Sequence, residues 1–176
     1  QQIVLVQNAG SIFGWDGIGN PYILTQFIGF GVFMIAVQAE LTQTPFDMPV
    51  AESELVAGYM TEYTGFRFLF FFIGEFGTAF AFAALAATLF LGGYNLPWMN
   101  DTGFAFPGGH AVALPHAAVV LLQLAVFLAK VLVVCSFQIL VRWSLPRFRY
   151  DQLLAFAWRF MFPLALANLT ATAIAL

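Results

Sequence analysis

The sequence predicts an all-α, polytopic transmembrane helix bundle of about four spans, and three observations carry that reading. Of 176 residues, 61% are hydrophobic and 18% aromatic, while only 9% are charged, against roughly 25% charged in ordinary soluble domains. Nine acidic and six basic residues cannot coat a soluble globule of this size, so most of the surface must meet lipid or other protein. Apolar stretches long enough to cross a hydrocarbon core of about 30 Å recur over 22–40, 67–91, 115–141 and 152–176. The same counts exclude several functions. The single cysteine, Cys135, lies in an apolar run and rules out a disulfide framework, a four-thiolate iron–sulfur site and a structural zinc site. His110 and His116 lack partners at metal-ligand spacing, so no metal and no redox cofactor is expected on this chain. A net charge of −3 without a basic cluster excludes nucleic acid as a partner.

In chain order, the first 21 residues hold Gly10, Gly14, Gly17, Gly19 and Pro21 around Trp15 and Asp16, which reads as the tail of a helix and an irregular loop. Span one follows over 22–40. The 41–65 loop is too structured for a tether: Thr44 and Pro45 mark a turn, Asp47 with Pro49 marks a helix start, and good helix formers run to about Gly58. Span two, 67–91, leads into a Gly/Pro-rich loop with Tyr94 and Trp98 at the interfacial level. Spans three and four are joined by 142–151. The whole, 1–176, is read as one membrane domain. Because Gln1 is not an initiator Met and no signal precedes the first apolar run, it is also read as a piece of something longer.

Orientation follows from the bases, since Lys and Arg near membrane ends favour the cytoplasmic side. Arg142, Arg147 and Arg149 flank the last connection, and Arg67 closes the 41–65 loop. Both loops are therefore expected on the cytoplasmic or matrix side.

The acidic residues are concentrated. Glu40, Asp47, Glu52, Glu54 and Glu62 precede Glu75 without an intervening base until Arg67. A solvated acidic loop explains the exposed ones, but not Glu75. It lies eight residues beyond Arg67 in an apolar helix, about 12 Å along the axis, beyond the reach of snorkelling. Placing a carboxylate there costs about 2.5 to 3.5 kcal/mol on insertion scales, so it must face the bundle or a water-filled cavity. A chain of such groups can pass a proton. Lys130, the single lysine, either snorkels toward the opposite face or takes a buried role, and it is placed last on this candidate path.

The stretch AELTQTPFDMPVAESELVAGYMTEYTGFRFLFFFIGEF, from Ala39 to Phe76, with LFLGGYNLPW after it and RWSLPRFRYDQLLAFAWRFMFPLALANLTATA near the end, strongly resembles the NuoH-type (subunit one) membrane protein of respiratory complex I, the NADH:quinone oxidoreductase. The resemblance covers essentially everything from Ile3 onward and corresponds to the carboxyl-terminal half of the family's chain. It implies a subunit that meets the peripheral arm, helps form the quinone-reduction chamber and starts a carboxylate-lined path toward the proton-pumping subunits. By resemblance, Asp47, Glu52, Glu54, Glu62 and Arg67 would belong to the chamber and docking loop. Glu40, Glu52, Glu54, Glu62 and Glu75 would form the acidic path, and Arg147, Arg149 and Asp151 an arm-docking loop. Val50 and Met60 stand where the family usually carries an acid and often a His. Quinone would be the substrate, with FMN, NADH and iron–sulfur clusters in partner subunits, and the setting a bacterial plasma membrane or organellar inner membrane. The same family supplies the anchor of membrane-bound hydrogenases and formate hydrogenlyases. An independent ion or solute transporter is the competing class, but no inverted pair of broken helices is visible.

Overall fold

The computed structural model describes residues 2–9, 19–48, 61–100, 103–105 and 111–175. Its helices are α1 (Gln2–Ala9), α2 (Tyr22–Thr25), α3 (Phe27–Glu40), α4 (Phe66–Phe90), α5 (His116–Ser144), α6 (Tyr150–Phe156) and α7 (Phe162–Ala175), the last two joined by a π-helical turn, Ala157–Met161. Three helical stretches among the described residues are long and apolar enough to cross a membrane: Phe66–Phe90, His116–Ser144 and Tyr150–Ile174. They carry large exposed side chains such as Phe66, Trp143 and Ile174, which suits a lipid or protein environment and not water.

The span expected over 22–40 is interrupted. The chain bends at Gln26, where α2 ends with the Gln26 N–H on Tyr22 O and Thr25 Oγ1 bonding back to the same carbonyl; such back-bonding competes with helix continuation. The 14 residues of α3 then measure about 21 Å, short of the hydrocarbon thickness. The 22–40 stretch is thus a short helix after a break, while Phe66–Phe90, His116–Ser144 and Tyr150–Ile174 are of membrane-spanning length.

Two helix irregularities have local causes. Pro163 removes an N–H and crowds the carbonyl four residues earlier. The turn just before it widens so that Phe162 N–H bonds Ala157 O. Helix α5 ends at Ser144, directly before the Leu145-Pro146 pair, because the residue preceding a proline is pushed out of the helical region.

The loop after α4 holds a three-stranded antiparallel sheet, β1 (Met99–Asn100), β2 (Gly103–Ala105) and β3 (Ala111–Ala113), in that order. Its register pairs Met99 with Phe104 and Phe104 with Val112. Strands of two or three residues are too short to leave a periodic signal.

The chain packs as two compact units. The first comprises Gln1–Phe27 and Ala83–Cys135. Ala83, Ala86 and Ala87 are fully buried on one face of α4, as an i, i+3, i+4 stripe. Gly92 and Gly93 turn the chain out of that helix with positive φ. A Cβ on Gly93 would stand 2.8 Å from Val4 Cγ2, so only glycine fits there. Carbonyls at a helix end have no partner within the helix and no water in a bilayer core; here side chains supply the donors. Gln7 Nε2 donates to Leu89 O at 2.9 Å and Thr88 O at 3.3 Å. Lys130 Nζ donates to Leu91 O, Gly93 O and Asn95 O at 2.8, 2.9 and 2.6 Å.

The second unit comprises Ile28–Phe82 and Ser136–Leu176. Met34, Val37, Gln38 and Leu41 are buried at helical spacing along α3 and its end. The 41–48 segment is pinned to the end of α5 and the following connection. Thr44 Oγ1 donates to Arg142 O at 3.0 Å, and Phe148 N–H donates to Pro45 O at 3.1 Å. The Thr44-Pro45 bond is cis. An aromatic series runs from Phe46 to Phe148, Phe156 and Phe160, with successive centroids 5.9, 6.0 and 5.7 Å apart.

Candidate functional site

In the second unit, a cleft of about 400 Å³ opens between the 41–48 segment and the first half of α4, with Glu40, Gln43, Asp47, Phe71, Glu75 and Arg142 among its lining residues. The carboxylate of Glu75 is half-buried, its side chain 27% exposed. Two partners converge on its Oε1. Gln43 Nε2 donates at 3.3 Å, and Arg142 Nη1 stands 3.8 Å away.

These partners are held from behind. Gln43 is buried, and its carbonyl accepts the Phe46 N–H at 2.8 Å. Gln38 Nε2 donates to Thr44 O at 3.2 Å, so the segment that presents Gln43 is fastened to α3 on one side and to α5 through Arg142 O on the other. Burying the Gln38 amide is tolerable because the hydrogen bond compensates its lost water. Chemically the cleft brings three carboxylates, Glu40, Asp47 and Glu75, to one polar wall with one guanidinium. Such a wall can hold water and exchange protons.

The other residues singled out from the sequence are scattered. Glu40 is exposed at the last residue of α3, and Asp47 is half-buried on the cleft wall. Glu62 is exposed in a turn before α4, and Arg67 is exposed in that helix's first turn. Glu52 and Glu54 lie outside the described residues, as do Val50, Met60, His110 and the helix start expected after Asp47. Arg147 is half-buried; Arg149 and Asp151 are exposed at the start of α6. There Gln152 Oε1 accepts the Arg149 N–H at 3.3 Å, one half of a capping box, and Asp151 complements the positive helix end. Lys130 belongs to the first unit, where its ammonium closes the carbonyl-rich end of α4. Among the described residues, no group of three or more His, Cys, Asp or Glu is placed to hold a metal.

Sequence reasoning missed Gln43 and treated Arg142 only as a mark of orientation. The first is an uncharged residue in a turn, and both are far from Glu75 along the chain, so no local pattern points to them. A Cβ added at Gly74 or Gly77, on either side of Glu75 in α4, would meet nothing within 4 Å.

A family model described as NADH dehydrogenase matches residues 1–173. The chain belongs to the NADH dehydrogenase family. Similar relatives in that family are named as the H-type subunit of NADH-quinone oxidoreductase. The one from Anaeromyxobacter dehalogenans is 44% identical over 161 residues, covering 90% of this chain and 38% of that protein. The one from Thermomicrobium roseum is 41% identical over 172 residues, covering 98% and 44%, and that of Bacillus cereus is 47% identical over 153 residues, covering 87% and 40%. The chain spans less than half the length of these curated relatives. In this NADH dehydrogenase family chain, the Glu75 cleft lies wholly inside the matched region.

Proposed function

We propose that this chain is part of the membrane-arm subunit of a proton-pumping NADH:quinone oxidoreductase, forming part of the wall of the quinone-reduction chamber and the acidic path that couples it to proton translocation. The observation that carries the reading is Glu75: an acid inside an apolar span, paired with Gln43 and Arg142 and opening on a cleft shared with Glu40 and Asp47. A lipid-facing structural helix has no use for a carboxylate at that depth. The names of the relatives favour this oxidoreductase over a hydrogenase anchor or a free-standing transporter.

In this reading quinone is the substrate, and FMN, NADH and iron–sulfur clusters reside in partner subunits. Glu52, Glu54, Glu62 and Arg67 complete the chamber and docking loop with Asp47, while Arg147, Arg149 and Asp151 meet the peripheral arm. Glu40, Glu52, Glu54, Glu62 and Glu75 carry the proton path, with Lys130 at its margin because all three of its N–H groups have carbonyl acceptors. The 41–65 and 142–151 loops face the cytoplasm or matrix; direct bonds from Thr44 to Arg142 and from Phe148 to Pro45 support their lying on one side.

Extraction of the full-length protein from its native membrane in mild detergent tests the assignment through what copurifies. Flavin- and iron–sulfur-containing NADH-oxidising subunits are expected in the same particle. A nickel–iron subunit, or a chain that emerges alone, would contradict it.

A further inference from the structure

The two partners of Glu75 compete for one oxygen. Gln43 Nε2 donates to Oε1 at 3.3 Å and Arg142 Nη1 stands 3.8 Å from the same atom, whereas Oε2 has no hydrogen bond among the described residues. A closed guanidinium–carboxylate bond is about 2.7–2.9 Å long and commonly uses both oxygens. The guanidinium is therefore held off, while the buried Gln43 amide donates to the same oxygen.

Both competitors are controlled by adjacent residues of one segment. Gln43 presents the amide, and Thr44 grips Arg142 through its main-chain carbonyl at 3.0 Å.

We propose that Gln43 is a positioning residue for proton exchange at Glu75: its amide keeps the Glu75–Arg142 pair open and leaves Oε2 as the oxygen that takes up and returns the proton through the cleft. In the forward step an O–H bond of a hydronium in the cleft, which becomes water, or of a protonated neighbouring carboxyl, which becomes carboxylate, breaks, and an O–H bond forms at Glu75 Oε2. The return step reverses this. Gln43 itself neither gains nor loses a proton. The inference rests on the acidic path proposed above.

The test uses the full-length protein in its native assembly. Gln43→Met keeps the side chain's approximate shape and removes the donor. Gln7→Met is the control, since it deletes a buried amide of the first unit that bonds Thr88 O and Leu89 O and not Glu75. Infrared difference spectra should show a Glu75 carboxyl band, identified by its loss in Glu75→Gln, that shifts in Gln43→Met and stays in place in Gln7→Met. Protons translocated per electron should fall at least twofold in Gln43→Met and stay at the parent ratio in Gln7→Met. An unmoved band, or an equal shift in the control, would overturn the positioning role alone if Glu75→Gln still abolishes pumping. Full pumping in Glu75→Gln would overturn the acidic path and this role with it. Without any variant, a density map of the unmodified assembly showing a closed two-oxygen Glu75–Arg142 pair, with Gln43 turned away, would also contradict the proposal.

Discussion

Each N–H of the Lys130 ammonium meets a carbonyl, those of Leu91, Gly93 and Asn95. The position is favourable twice over, because the C-terminal end of a helix carries partial negative charge and because these carbonyls would otherwise be unpaired. Lys130→Met leaves them unpaired, at about 1–3 kcal/mol for each one that finds no other donor. The expected result is a clearly lower unfolding temperature of the detergent-solubilised protein, with Lys130→Arg close to the parent. Unchanged stability in Lys130→Met would return the residue to a role in proton transfer. At this scale the sequence revealed which ionisable groups were out of place and not what they touch. Glu75 was legible from depth alone, since eight residues of helix beyond Arg67 are arithmetic. Its partners come from a turn and from another helix, and Lys130's acceptors are backbone atoms, which carry no residue-type signal at all.

The elements show the same division. Helices α4, α5 and the 150–174 stretch follow from apolar runs of membrane-spanning length, and Pro146 and the Gly92-Gly93 pair mark their ends. The bend at Gln26, the widened turn before Pro163 and the short sheet were not legible, because each depends on which carbonyl a given N–H chooses and not on hydropathy. The expected sidedness belongs to the loops between these elements. In a Cys135→Ser background, Ser144→Cys and Tyr63→Cys should react with a membrane-impermeant maleimide from the cytoplasmic face only, and Pro97→Cys from the opposite face only. Labelling of Ser144→Cys and Pro97→Cys from one and the same side would break the topology.

At the scale of the whole molecule, few residues are charged. Exposed apolar helices provide the surface for lipid and neighbouring proteins, a cation closes one helix end, and a cleft gathers three carboxylates against Arg142. Coupling requires that the acid inside the span change its proton occupancy during turnover while the surrounding packing stays intact. Glu75→Gln keeps the shape and the contact with Gln43 but removes the titrating oxygen pair. The deciding measurement is proton translocation by the assembled complex carrying Glu75→Gln, reconstituted in sealed vesicles and compared with its subunit composition. Loss of most coupled quinone reductase activity and pumping, in a particle of unchanged composition, is the expected result; full pumping in that variant would contradict it.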